Sequence, residues 1–153
     1  MRRTDVLEVR RAGAGDARTA ASLLTAQLAD HALPIEPAGI DRAVGLCFAA
    51  GSPATLLLAF AQGEPVGICL ANWLVSAERG GRNLWVEELY VAPHARRRGV
   101  ARALMAELRR LNPDARGIEL YVTEGHDPAR ALYRSLGFRE NRRTPFVLEL
   151  ECR

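Results

Sequence analysis

Two apolar runs of strand length, Ala54–Ala61 and Val66–Leu74, stand on either side of Gln62-Gly63-Glu64-Pro65. Short apolar segments joined by a glycine-containing turn predict a buried antiparallel hairpin. Helical spacing then appears on both sides of it. Ala20, Leu23, Leu24 and Leu28 share one face of a helix from about Asp16, with Asp16 placed to cap it, and Leu33-Pro34 stops it. Pro37 suits the first turn of a second helix carrying Ile40, Val44 and Cys47 or Phe48, and Gly51 suits its left-handed cap. Leu7–Arg11 predicts a first strand, ending in Ala-Gly-Ala-Gly.

Beyond the hairpin, Arg79–Asn83, with Gly80-Gly81, predicts a second turn, and Leu84–Val91 a further strand. A helix follows from about Gly99, with Val100, Leu104, Leu108 and Leu111 on one face, and Pro113 ends it. The apolar stretch 117–123 predicts another strand. Asp127-Pro128 opens a last helix carrying Ala129, Leu132 and Leu136, which closes at Gly137, and Phe146–Leu150 predicts a final strand. Helices interleaved with strands in this order make a mixed α/β sheet, and 153 residues without repeat or linker suit a single domain, 1–153.

Composition removes several classes of function. The chain has 48% hydrophobic and 25% charged residues, the proportions of an ordinary globular protein. No apolar run approaches the ~18–20 residues of a membrane-spanning helix, and Met1-Arg-Arg-Thr-Asp5 lacks the apolar core of a secretory signal. All 21 basic residues are arginine, which excludes Schiff-base chemistry on lysine. The net charge of +3 is too mild to argue for nucleic acid. Cys47, Cys69 and Cys152 are odd in number and lack zinc-ligand spacing; reduced thiols in a cytoplasmic protein without a metal are expected.

The stretch from Leu84 to Leu104, Leu-Trp-Val-Glu-Glu-Leu-Tyr-Val-Ala-Pro-His-Ala-Arg-Arg-Arg-Gly-Val-Ala-Arg-Ala-Leu, concentrates the chemistry. A strand feeds a basic, glycine-containing turn that opens directly into an amphipathic helix. Amides at a helix start lack intrahelical acceptors, and Arg96, Arg97, Arg98 and Arg102 add positive potential, so a diphosphate would find donors and charge there. Gly99 and Ala101 allow close approach. The same pattern also describes a solvated surface turn, and the local residues alone do not separate the two. No G-x-G-x-x-G is present, and a P-loop is excluded by the missing lysine.

Arg96-x-x-Gly99-x-Ala101, preceded by Leu89-Tyr-Val-Ala-Pro93, resembles the acetyl-CoA diphosphate loop of the GNAT superfamily of N-acetyltransferases. His126-Asp-Pro-Ala-Arg-Ala-Leu-Tyr-Arg-Ser-Leu-Gly-Phe138 resembles that superfamily's N-x-x-A-x-x-L-Y-x-x-x-G-F signature, with His126 in place of Asn. The resemblance covers essentially the whole chain. It implies a twisted, mostly antiparallel mixed sheet of about six to seven strands, splayed at the cofactor site and flanked by about four helices. It implies acetyl-CoA as acetyl donor and a primary amine, most simply a small molecule, as acceptor. A protein or N-terminal amine and a non-catalytic acyl-CoA sensor are the alternatives; a homodimer follows only by analogy.

Under that resemblance the coenzyme contacts are Leu89, Tyr90 and Val91 through their backbone, Arg96, Arg97, Arg98, Gly99, Val100, Ala101 and Arg102 in the turn, and His126 and Tyr133. Tyr133 matches the tyrosine near the coenzyme sulfur and is the candidate general acid. Regular alternation lets only one of Glu87 and Glu88 point at the thioester, and the resemblance to the superfamily's polyamine- and histone-acetylating branches, where the base lies at the parity matching Glu87, makes Glu87 the favoured base. A β-bulge would shift that parity, so Glu88 stands as the second choice. Scattered carboxylates at Asp30, Glu36, Glu78 and Glu124 favour a cationic acceptor, whereas Arg142 and Arg143 suit one bearing a carboxylate.

Overall fold

A computed structural model describes residues 6–151, and its backbone falls into two units that meet in sequence at Tyr121 and Val122. The first unit contains β1 (Leu7–Arg11), α1 (Ala17–Asp30), α2 (Pro37–Phe48), β2 (Ala54–Ala61), β3 (Glu64–Ser76), β4 (Gly81–Val91), α3 (Val100–Leu111) and β5 (Ile118–Leu120). Single 3-10 turns at Ala14–Asp16 and Pro93–Ala95 precede α1 and α3. The strands lie in the order β1-β2-β3-β4-β5, all neighbours antiparallel except β4 and β5.

The hairpin is buried on both faces over residues 54–59 and 66–71, where Thr55 is the one polar side chain. Leu56, Leu58, Ile68 and Leu70 join Ala20, Leu23 and Leu24 of α1 and Ile40 and Val44 of α2 in one core. Leu57, Ala59 and Cys69, of opposite parity, face the other side, where α3 buries Val100, Leu104, Met105 and Leu108. Each fully buried leucine here contributes roughly 1.5–3 kcal/mol relative to exposure. Gly67 sets how closely α3 lies. A Cβ at that position would sit 3.0 Å from Val100 Cγ1, 3.1 Å from the Tyr90 carbonyl oxygen and 3.2 Å from Leu104 Cδ1.

The α/β class, the mixed sheet and the four helices are as expected, but several details differ. The described residues form five strands, not about six to seven. The turn before β4 is Ala77–Gly80, because β3 and β4 extend their pairing as far as Ser76↔Gly81. Asp16 makes no side-chain cap on α1. Its carboxylate instead accepts two hydrogen bonds from Arg10, at 2.8 and 3.0 Å, and one from the Gly13 N–H at 2.8 Å. Gly51 is left-handed, with φ 74°, but lies beyond the extended α2 cap at Ala49.

The second unit contains α4 (Asp127–Ser135), which begins with proline in its first turn. Its end is set by Gly137 in the left-handed region, with φ 90°. The Phe138 N–H donates to the Tyr133 carbonyl and the Gly137 N–H to the Arg134 carbonyl, both at 3.0 Å. That pairing is a Schellman motif, and the Tyr133 and Phe138 rings meet edge-on at 5.5 Å as its apolar contact. The expected strand at Phe146–Leu150 is absent. Among the described residues of its unit no strand is formed, and Phe146, Val147, Leu148 and Leu150 are largely exposed.

Candidate active site

β4 carries the features that define the site. Its parallel pairing with β5 covers only Leu84–Val86 against Ile118–Leu120. From Glu87 to Val91 its ladder partner among the described residues is β3 alone. Within the first unit that edge of the strand has no ladder partner from Glu87 onward, which is the splay implied by the resemblance.

The strand is also bulged at this point. Leu70 pairs with Glu88 and the next β3 residue, Ala71, pairs with Val86, which leaves Glu87 as an extra residue. Alternation resets there. Val86 shares the α3 side with Ala71, while Trp85, Glu88 and Tyr90 pair with Asn72, Leu70 and Ile68 on the α1 side. The Glu87 carboxylate accepts a hydrogen bond from Trp85 Nε1 at 2.9 Å. Regular alternation therefore does not hold across Glu87 and Glu88: the bulge, the condition under which Glu88 stands as second choice, gives both carboxylates to the α1 side.

Their environments differ. Glu87 is exposed and Glu88 half-buried. Burial pushes the Glu88 carboxyl above its ordinary value, the Glu87 charge pushes it further, and a hydrogen bond from Gln27 Nε2 partly opposes both. Gln27 lies on α1 and is only 8% exposed; its Oε1 has no hydrogen-bond partner among the described residues. Gln27 went unremarked in the sequence, yet it falls at helical spacing on the stripe of Ala20, Leu23 and Leu24, where an apolar residue is expected.

Past Val91 the chain makes the turn that leads into α3. Arg97 and Gly99 are both left-handed, with φ 63° and 80°. A backbone bent this way directs successive N–H groups to one side, and the first turn of α3 adds amides without intrahelical acceptors. Arg97, Arg98, Gly99 and Arg102 are exposed, Ala101 is half-buried, and Val100 is buried. Nothing lies within 4 Å of where a Gly99 Cβ would be. Residues 92–102 contain no acidic side chain, so both donors and charge fit a polyanion such as a diphosphate.

Arg96 differs from its neighbours. Its Nε–H donates to the Val91 carbonyl at 2.9 Å, its Nη2 to Asp30 at 2.7 Å, and its guanidinium lies 5.9 Å from the Tyr90 ring centroid. It braces the turn against β4 and the end of α1. Asp30 is thereby engaged in the brace, and Glu36 pairs with Arg42.

His126 and Tyr133 belong to the second unit, at the N-cap and in the final turns of α4. The Cys69 thiol is fully buried and pushed up to about 12, and burial also raises Cys47; Cys152 lies outside the described residues. Among the described residues no three His, Cys, Asp or Glu side chains gather as a metal site, and no helix is long and apolar enough to cross a membrane.

Residues 23–138 match the acetyltransferase (GNAT) family. No curated protein sequence matches the chain. A possible acetyltransferase from Clostridium difficile 630 superposes with a TM-score of 0.82 at 20% identity, over 97% of this chain and 100% of that one. The aminoglycoside N-acetyltransferase AAC(6')-Iy in complex with CoA gives 0.83 at 19% identity, over 97% and 98%. An aminoglycoside acetyltransferase from an uncultured soil metagenomic sample gives 0.74 at 25% identity, over 95% and 99%.

Proposed function

The chain belongs to the acetyltransferase (GNAT) family, and we propose that it transfers an acetyl group from acetyl-CoA to a primary amine of a small molecule, by direct attack in a ternary complex. The observation that carries this reading is the run of β4 beyond Val86: a strand edge without a partner on the β5 side leads into a turn of exposed amides and arginines. The amides of a pantetheine arm can extend such an edge as a further strand would, with the diphosphate received at the start of α3.

Acetyl-CoA supplies the acetyl group as a thioester. The backbone of Leu89, Tyr90 and Val91 orients the arm. Arg97, Arg98 and Arg102, together with the amides of Gly99, Val100 and Ala101, hold the diphosphate, while Arg96 keeps the turn in shape. On the family resemblance His126 and Tyr133 are proposed as coenzyme contacts, with the Tyr133 hydroxyl as proton donor to the departing thiolate. The amine must be neutral to attack, and a carboxylate with a raised proton affinity is suited to accept its proton near neutral pH. The Glu87–Glu88 pair supplies that base, and burial favours Glu88 for the role over Glu87, the residue the resemblance favours.

Two carboxylates on one side of the sheet suit an acceptor bearing more than one positive charge. Aminoglycoside acetyltransferases among the fold neighbours act on such molecules and lend support to a polyamine-like acceptor. The test is thiol release from acetyl-CoA across a panel of diamines, polyamines, aminoglycosides and peptide N-termini. Acceleration by a small multi-amine is expected. Acetyl-CoA binding with no acceleration by any amine would overturn the enzymatic reading in favour of a sensor, and a response to peptides alone would overturn the small-molecule assignment.

A further inference from the structure

We propose that Gln27 is a positioning residue for the Glu88 carboxyl, holding it in one place in both of its protonation states. The inference rests on the acetyltransferase reading only for the purpose of the proton; the hydrogen-bonding relationship stands on the geometry. Gln27 Nε2 donates to Glu88 Oε2, as an ionised carboxylate requires. The other end of the same amide, Oε1, is buried with no hydrogen-bond partner among the described residues. A buried acceptor without a donor is costly, and an apolar side chain on this stripe of α1 would avoid the cost.

The carboxamide has a property that no apolar residue shares. Rotated by half a turn about its last side-chain bond, it presents Oε1 where Nε2 now stands, and that oxygen accepts from a protonated Glu88. In either orientation one end of the amide is bonded and the other is not. The carboxyl therefore keeps the same partner while its proton comes and goes. In the proposed step an N–H bond of the acceptor ammonium breaks, its electron pair stays on nitrogen, and an O–H bond forms on Glu88. That new O–H donates to Gln27 Oε1 until the proton passes to water.

The surroundings leave Gln27 as the polar group that counters the others. Glu87, on the same strand, adds negative charge. β3 brings the apolar Leu70 directly opposite. α1 carries Asp30 one turn past Gln27, with its charge taken by Arg96, and Arg96 itself lies over Tyr90.

The experiment is a carbon-detected NMR titration of the Glu88 carboxyl in the unliganded full chain, wild type against Gln27→Met. Methionine matches the volume and length and favours folding at a buried helical position. The bond to the ionised carboxylate is charge-assisted and the stronger of the two, so its loss should raise the midpoint of Glu88, tightening proton affinity about threefold or more. The acid limb of kcat/KM should move up in pH by the same amount, with acetyl-CoA affinity unchanged. A midpoint that stays put, or a loss of acetyl-CoA affinity in Gln27→Met, would overturn the proposal. The titration reads Gln27 and Glu88 without turnover, so failure to find any amine substrate would sink the enzymatic reading and leave this result standing.

Discussion

Arg96 is tied to Asp30, far earlier in the chain, through a 2.7 Å ion pair that joins the turn before α3 to the end of α1. Both side chains are partly exposed, at 44% and 39%, so the pair adds at most about 1 kcal/mol to overall stability. Its expected importance is local. Asp30→Ala releases one end of the brace, and acetyl-CoA affinity by calorimetry should fall by roughly fivefold while the melting temperature changes little. Unchanged affinity would mean that the Val91 carbonyl and the Tyr90 ring hold Arg96 well enough without it.

The two glutamates are separable by pH. If Glu88 is the base, Glu88→Gln should lower kcat by about 10²–10⁴-fold and remove the acid limb of the rate profile. Glu87→Gln should instead remove a repelling charge, lower the Glu88 midpoint and carry activity to lower pH. The reverse pattern would assign the proton to Glu87. Stability gives an independent check. Folded Glu88 holds its proton more tightly than the unfolded chain does, so its contribution declines as pH rises from the ordinary 4.5 through the raised folded value. Denaturant unfolding of Glu88→Gln should lack that decline.

Asp16 titrates in the opposite sense. Arg10 and the Gly13 amide lower its carboxyl from 3.8 to about 2, so the stabilisation is complete above 3.8 and is lost as pH falls through the lower value. Asp16→Asn should cost about 1 kcal/mol at neutral pH, allowing for the exposure of Arg10, and the difference from wild type should vanish near pH 2.

Gly67 is the most demanding backbone position under α3. Gly67→Ala forces Val100 and Leu104 outward by a few tenths of an ångström, with an expected loss of about 1–3 kcal/mol in chemical denaturation. Because Val100 opens α3, coenzyme affinity should weaken in parallel. Retained affinity with reduced stability would separate the packing of α3 from the turn.

Tyr133→Phe keeps the ring that meets Phe138 and removes only the hydroxyl. Transfer should slow with the melting temperature unchanged, whereas Tyr133→Ala should also loosen the end of α4. An unchanged rate in Tyr133→Phe would remove the hydroxyl from the mechanism.

The hairpin 54–74, the helix beginning at Val100 and the glycines at which α3 opens and α4 closes, Gly99 and Gly137, are legible in the sequence, because period and turn chemistry are local properties. A bulge in this strand is raised by the resemblance, but its place at Glu87 is not written in the local residues. Val-Glu-Glu-Leu is compatible with plain alternation, and the extra residue becomes visible only against the β3 register. Asp16 looks like a cap until Arg10 is seen to claim it. Phe146–Leu150 has the composition of a strand, but composition does not provide a neighbour. Gly67 was readable in principle, since glycine inside an apolar strand signals a close neighbour. Gln27 and Asp30 required knowledge of which strand and which turn α1 lies beside.

The surplus residue of β4 also governs how this part of the chain tolerates changes in length. Removing Glu87 would join Val86 to Glu88 in step with Ala71 and Leu70, and every remaining side chain of the strand would keep its present side. Removing Val86 instead would carry a carboxylate to the side now packed by α3. Shortened descendants of this sequence are therefore expected to lose the first glutamate and retain the second.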